Sequence, residues 1–350
     1  KKSIRGKLAE TWLQSVEPLL SKSLDSFEEL NTVGKESPLH ALIDLAGKQG
    51  EDFSRSWSKL VDYWRTEIIR RQIFNRENFE TWDLTSPDYD NSTGHGTGFS
   101  KESSKPGEFW ILNSGDRVLN GIYPGGVYTN LLSTKHSGVI QSPRFKVETD
   151  RISLRLLGGD LSFAQLIIEN YAVPRSGIYH LRHSPKQDRM KWVQWDTSFW
   201  KGFTAYIEFA TRDDVTRFGY DPIDSKNKLR PQPGQDGRSW IGASRIAFHN
   251  NEEPPQEGVV PILHLLEGKT PNSHQELVRL MERTLREVIF TWRDGHLSER
   301  QAAFLDDFVR RDLLPRSLGE LPSVRSLVAE FRSLEGEVPI AQRAPGVIEE

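Results

Sequence analysis

Between Gly138 and Asn170 the chain reads GVIQSPRFKVETDRISLRLLGGDLSFAQLIIEN, and from Ile152 its apolar residues fall at every second position. Ile152, Leu154 and Leu156 share one face, while Arg151, Ser153 and Arg155 share the other. A period of two is that of a half-buried strand and does not fit a helix, whose faces repeat every 3.6 residues. Gly158-Gly159-Asp160 breaks the run, as a loop needing open backbone angles would. Leu166, Ile167 and Ile168 then supply a more fully buried strand. The stretch predicts strand, turn, strand, Gly-Gly loop, strand, with a β-sandwich built around it and the helices at both chain ends as its supports.

Further candidate strands flank this stretch. They are Glu108–Leu112, Gly126–Leu131, Lys191–Asp196, Thr204–Ala210 and Trp240–His249, beside Val139–Gln141, Arg144–Glu148, Arg151–Leu157 and Ala164–Glu169. Short, regular spacing with turn residues between is the pattern of a sandwich or barrel. Residues 76–108 lack periodicity, and Gly94 to Gly98, GHGTG, reads as an ordinary loop. Residues 219–239 form a long polar stretch with three prolines that leads to Arg238 and Trp240.

The ends of the chain have helical spacing. Leu8, Trp12, Leu13, Val16, Leu19 and Leu20 mark one helix, and Ser37-Pro38 opens another. Phe53, Trp57, Leu60, Val61, Trp64, Ile68 and Ile69 form the apolar stripe of a third. Beyond Pro254-Pro255, His274 to Trp292 is amphipathic, Ser298 caps the next helix, and Pro322-Ser323 starts a last one. The predicted fold class is α+β and multidomain: helical residues 1–75, a β-sandwich over 76–253, and helical residues 254–350. The sandwich is inserted between helical segments that pack together.

The 350 residues are enough to bury a substantial core. A net charge of −3 gives no electrostatic case for nucleic acid. No apolar run approaches the roughly 20 residues of a membrane-spanning helix, and no signal peptide is evident. The first residues already read as helix and the tail APGVIEE reads as cut, so the chain is expected to lie within a longer protein. The absence of cysteine excludes disulfides, Cys-ligated zinc, thiol catalysis and covalent c-type haem attachment in this chain, and leaves the compartment open.

Two resemblances arise from the motifs. Ser142-Pro143-Arg144-Phe145, Gly158-Gly159, Trp195-Asp196, Lys201-Gly202, Asp213-Asp214 and Trp240-Ile241-Gly242 running to Ile246 follow one another in an order that resembles the galactose-binding-like jelly roll. It is most similar to the accessory modules of fructan-degrading glycoside hydrolases, and departs from them at Gly242. Over nearly the whole chain, NGIYPGGVYTNLLSTKHSGVIQSPRF, WKGFTAYIEFATRDD and PIAQRAPGVIEE resemble planctomycete multidomain proteins with an N-terminal cytochrome-c-like domain and two large domains named for that phylum. The chain resembles the section between the second and last of their domains, entering the last. The resemblance implies an extracytoplasmic place, at the periplasm or cell surface, other domains of the same polypeptide as partners, haem only in a domain absent here, and a part in polysaccharide use.

Sugar recognition needs a flat aromatic for the apolar face of a ring and polar groups for its hydroxyls. The loops expected to supply them hold Asp160, Asn170-Tyr171 with Arg175, Asp213-Asp214, and Arg238-Ser239-Trp240. Trp240 also reads as the opening of a buried strand, and Arg238 with Asp214 as a surface ion pair. Of Trp192 and Trp195, alternation puts one in the core, and Asp196 reads as a turn residue. His180 and His183 are three apart with no third metal ligand in sight, and Asp83, Asp88, Asp90 and Asn91 cluster without the spacing of a calcium loop, leaving structural calcium an option. Asp213-Asp214 and Glu252-Glu253 are adjacent pairs, which a strand would point to opposite faces. No nucleophile-elbow, zincin or phosphate-loop motif is present, so no catalytic residue is assigned. The expected function is a non-catalytic carbohydrate-binding or surface-interaction module. The alternatives are a structural spacer and part of a polysaccharide-active enzyme.

Overall fold

A computed structural model describes residues 1–25, 45, 47–85, 92–159, 162–171, 181–211, 238–258 and 269–339, without the side chains of residues 21–25. The chain divides into two compact units. The first comprises residues 1–77, 105–124 and 256–333, and the second residues 78–104, 125–255 and 334–350.

The first unit is helical. Among the described residues its helices are α1 (Lys2–Asp25), α2 (Gly50–Asn78), α3 (His274–Asp294), α4 (Glu299–Arg310) and α5 (Arg325–Glu337), the last turn of α5 belonging to the second unit. Ser273 caps α3 by accepting from Glu276 N–H, and Gly295 closes that helix in the left-handed conformation at φ 80°. Ser298 and Gln301 form a reciprocal capping box on α4. The core is organised on Trp12 and Trp292, whose rings stack 4.6 Å apart. Each indole N–H is satisfied by a backbone carbonyl, Trp12 on Pro315 at 2.6 Å and Trp292 on Gly107 at 2.8 Å.

The stretch expected to be a strand at Glu108–Leu112 belongs to this helical unit. It forms isolated bridges, Glu108 with Tyr123 and Ile111 with Leu119, and buries Phe109 and Ile111 among the helices. Gly121 is required there, because a Cβ would lie 2.3 Å from Asp306 Oδ1, which accepts the Ile122 N–H. The helical stripe of α2 holds as far as Ile68: Phe53, Trp57 and Val61 are buried and Leu60, Trp64 and Ile68 pack partly buried against the same core, whereas Ile69 is exposed.

The second unit holds two antiparallel sheets. One runs β1 (Glu80–Asp83), β11 (Ile241–His249), β6 (Arg151–Gly158), β9 (Gln187–Asp196), with β3 (Val127–Tyr128) also on β11. The other runs β2 (Thr93–Gly96), β4 (Gly138–Gln141), β10 (Thr204–Ala210), β7 (Phe163–Ile168), β8 (Arg182–His183), with β5 (Phe145–Lys146) also on β10. Ile152, Leu154 and Leu156 of the first sheet share one core with Leu166, Ile207 and Phe209 of the second, the arrangement of a β-sandwich. Trp195 joins that core and Trp192 is partly exposed, as the alternation predicts.

The sequence landmarks have local causes. Pro143 cannot donate to a ladder, and the chain passes from β4 to β5 there while both pair with β10. Ser142 bridges the break: its amide donates to Ile207 O and its hydroxyl oxygen accepts from Ile207 N–H at 2.9 Å. The GHGTG segment is not a plain loop. Its first residues lie in β2, where Gly96 sits at φ 89° with no room for a Cβ beside Ser137 O. Gly158 and Gly159 are glycines for close approach, not for a left-handed backbone. A Cβ on Gly158 would come 2.7 Å from Ser162 Oγ and 2.9 Å from Trp240 O, and one on Gly159 would come 3.0 Å from the Trp240 indole nitrogen. Gly242 faces Tyr128 across the β3–β11 pairing, and a Cβ would meet that ring at 2.4 Å.

Candidate functional site

The residues singled out for sugar binding fall into three groups. Asp160, Arg175, Asp213 and Asp214 lie outside the described residues. Arg238 and Trp240 stand at one end of the sandwich, beside the Gly158-Gly159 turn, where Gly159 N–H donates to Trp240 O at 2.9 Å. Asn170 and Tyr171 stand at the other end. The chain leaves the Gly158-Gly159 turn along β7, and six residues of strand span about 20 Å.

Each of the two residues at the first end has an internal task. Trp240 packs on the bare backbone of Gly159. Arg238 donates to both carboxylate oxygens of Glu335, at 2.5 and 2.9 Å, and to Thr134 Oγ1 at 3.0 Å. The Glu335 side chain is only 4% exposed. Burial alone would raise its carboxyl, but hydrogen bonds from Arg238 and Ser133 and the charges of Arg238 and Lys135 hold it below the ordinary carboxylate value. Lys135 Nζ donates to the carbonyls of Glu335, Gly336 and Val338 at 2.8–2.9 Å, closing the carboxyl end of α5. This end of the sandwich is held together by its polar groups.

The opposite end carries exposed aromatics. β7 leads into a tight turn in which Glu169 and Asn170 both adopt left-handed angles, φ 48° and 62°, and Tyr171 N–H returns to Ile168 O at 2.9 Å. Asparagine tolerates that region, whereas for glutamate it costs roughly 1 kcal/mol. The turn displays Tyr171, 79% exposed.

Alongside it runs the connection from β9 to β10. Asp196 Oδ1 accepts from the amide and hydroxyl of Ser198, at 3.0 and 2.6 Å, and these bonds hold its carboxyl below the ordinary value. The short helical turn Ser198–Trp200 follows, and Gly202 at φ 91° bends the chain into β10. Phe199 and Phe203 are 69% and 44% exposed, while Trp200 between them is buried. Both phenyl rings meet the indole edge to face, at 4.8 and 6.0 Å. Lys201 pairs with Asp150 at 2.6 Å. The two turns are tied together: Glu169 N–H donates to Thr204 O at 2.9 Å, and Thr204 N–H donates to Glu169 Oε1 at 2.7 Å. The rim thus presents Tyr171, Phe199 and Phe203 beside the carboxylate of Glu169 and the carboxamide of Asn170.

Two further polar clusters are internally satisfied. On the outer face of the second sheet, Glu208 is buried between Gln141 and Gln165, accepting from their amides at 2.8 and 2.6 Å, and Gln165 accepts from Arg182. The four stand in register across β4, β10, β7 and β8. Burial and the Glu208 carboxylate raise the neighbouring Tyr206 hydroxyl. In the first sheet Ser153 Oγ lies 2.8 Å from His249 Nε2, and His249 Nδ1 lies 3.1 Å from Asn251 O. With Nδ1 protonated, this is the alignment of a serine nucleophile with its base. Both residues are at most 2% exposed, so no substrate reaches them.

Among the described residues no group of His, Asp and Glu is placed to hold a metal ion. Asp83 is engaged by Thr85 and Arg245, while Asp88, Asp90, Asn91 and His180 lie outside the described residues. Glu252 and Glu253 are exposed. No described helix is long and apolar enough to cross a membrane.

These features define an α+β protein whose second unit is two antiparallel sheets on a shared core, with an aromatic rim at one end. Comparison with family models, with curated proteins and with solved structures gives no match.

Proposed function

We propose that the sandwich is a non-catalytic carbohydrate-binding module, a galactose-binding-like jelly roll inserted between helical segments of a larger envelope protein used in polysaccharide breakdown. The observation that carries this reading is the rim: Tyr171, Phe199 and Phe203 are exposed on adjoining turns, and the two phenylalanines rest on buried Trp200. An exposed aromatic ring offers a platform for the C–H face of a sugar, and the carboxamide of Asn170 offers hydrogen bonds to its hydroxyls. Soluble proteins rarely expose aromatic side chains together without a partner for them. The order of motifs from Ser142 to Ile246, and the resemblance of the whole chain to planctomycete surface proteins, support a glycan as that partner and an extracytoplasmic place for the protein. A glycan array probed with the chain is expected to give binding to neutral polysaccharide fragments, with no new reducing ends on incubation with the same polysaccharides. A chain that is folded by circular dichroism and binds no glycan contradicts the reading.

A further inference from the structure

Glu169 is the one feature of the rim that its own turn does not explain. At φ 48° it occupies a conformation that glycine or asparagine would adopt at lower cost, and it stands beside an asparagine that already does so. Left-handed backbone in a residue without local compensation marks a position held for another purpose. The purpose is visible in its partners. Its amide and its carboxylate take both backbone groups of Thr204, the residue that follows Phe203 and opens β10. Glycine would make the turn with less strain, but it would lose the carboxylate that captures the Thr204 N–H.

We propose that Glu169 is a positioning residue for the aromatic rim, fixing the turn that bears Tyr171 to the turn that bears Phe203 so that the rings meet a ligand in one arrangement. This rests on the glycan reading of the rim. The carboxylate reaches between the ends of neighbouring strands β7 and β10 and so couples two loops that the chain itself separates by more than thirty residues. A platform held in this way meets its ligand with little ordering left to do, and loss of the clamp weakens binding through lost preorganisation.

The test combines affinity gel electrophoresis in laminarin, soluble xylan and inulin with amide hydrogen exchange, on the wild type, Glu169→Gln and Glu169→Gly. Glutamine keeps an acceptor for Thr204, whereas glycine relieves the left-handed strain and removes the acceptor. The expected result is retardation of the wild type and Glu169→Gln in the same polysaccharide. Glu169→Gly should bind at least tenfold more weakly, exchange the Thr204 amide faster, and melt at an equal or higher temperature. Wild-type affinity in Glu169→Gly, or slow exchange at Thr204 in that variant, overturns the proposal. If none of the three polysaccharides retards the wild type, the glycan reading fails for this set, and exchange alone decides: faster exchange at Thr204 in Glu169→Gly upholds the clamp and unchanged exchange overturns it.

Discussion

Arg238 grips Glu335 through two parallel N–H···O bonds, one to each carboxylate oxygen. The pair is largely withdrawn from water, so removing either partner leaves a charge uncompensated. Arg238→Ala or Glu335→Ala should cost about 2–4 kcal/mol, and the double variant less than the sum. Glu335 titrates below its ordinary value, so its contribution is complete above about pH 4.5 and is lost as the pH falls through the lower folded value. Urea unfolding of the four proteins at pH 7 and pH 3 checks both statements.

His249 supplies a pH dependence of the opposite origin. Burial lowers its value, outweighing the carbonyl of Asn251, and the charge of Arg151 lowers it further. The unfolded chain binds the proton more readily than the folded one, so stability is complete above about pH 6.5 and falls as the pH drops toward the folded value. His249→Gln, which retains a partner for Ser153, should lose up to about 1.4 kcal/mol less than wild type per pH unit below 6.5. Thermal melts at pH 7.5, 6.5 and 5.5 would reveal the difference in slope.

Gly158 is predicted to be intolerant although its backbone is unstrained. A methyl there meets Trp240 O, a backbone atom that cannot swing aside. Gly158→Ala should destabilise the sandwich by about 1–3 kcal/mol through overpacking. Gly115→Ala, at φ 79° with open space around it, should lose only about 1 kcal/mol through backbone strain. Denaturant midpoints of the two variants measure the contrast.

The strands from Val139 to His249 were legible because their apolar residues alternate, and the cap at Ser298 because capping chemistry is local. β2 escaped notice because glycines carry no side chain to alternate. Glu108–Leu112 has a strand pattern that tertiary packing overrides, since Phe109 and Ile111 find their partners among helices. The aromatic rim was half legible. Asn170 and Tyr171 stood out as a loop, but Phe199 and Phe203 were not singled out, because their exposure on either side of buried Trp200 is set by tertiary packing. One signal in the sequence was overlooked: each strand carries the chain to the opposite end of a sandwich, so loops on either side of the six-residue β7 cannot share a site. That parity separates Asn170 from the Gly158-Gly159 loop before any coordinates are seen.

The rim itself is tested most directly by the double variant Tyr171→Ser/Phe199→Ser, titrated calorimetrically with the glycan that binds best on the array. Two stacking contacts at about 0.5–1.5 kcal/mol each predict a fall in affinity of roughly 5–150-fold, with the melting temperature within about 2 °C of wild type because both side chains are exposed. Wild-type affinity in the double variant would contradict the assignment of this end of the sandwich as the glycan-binding surface.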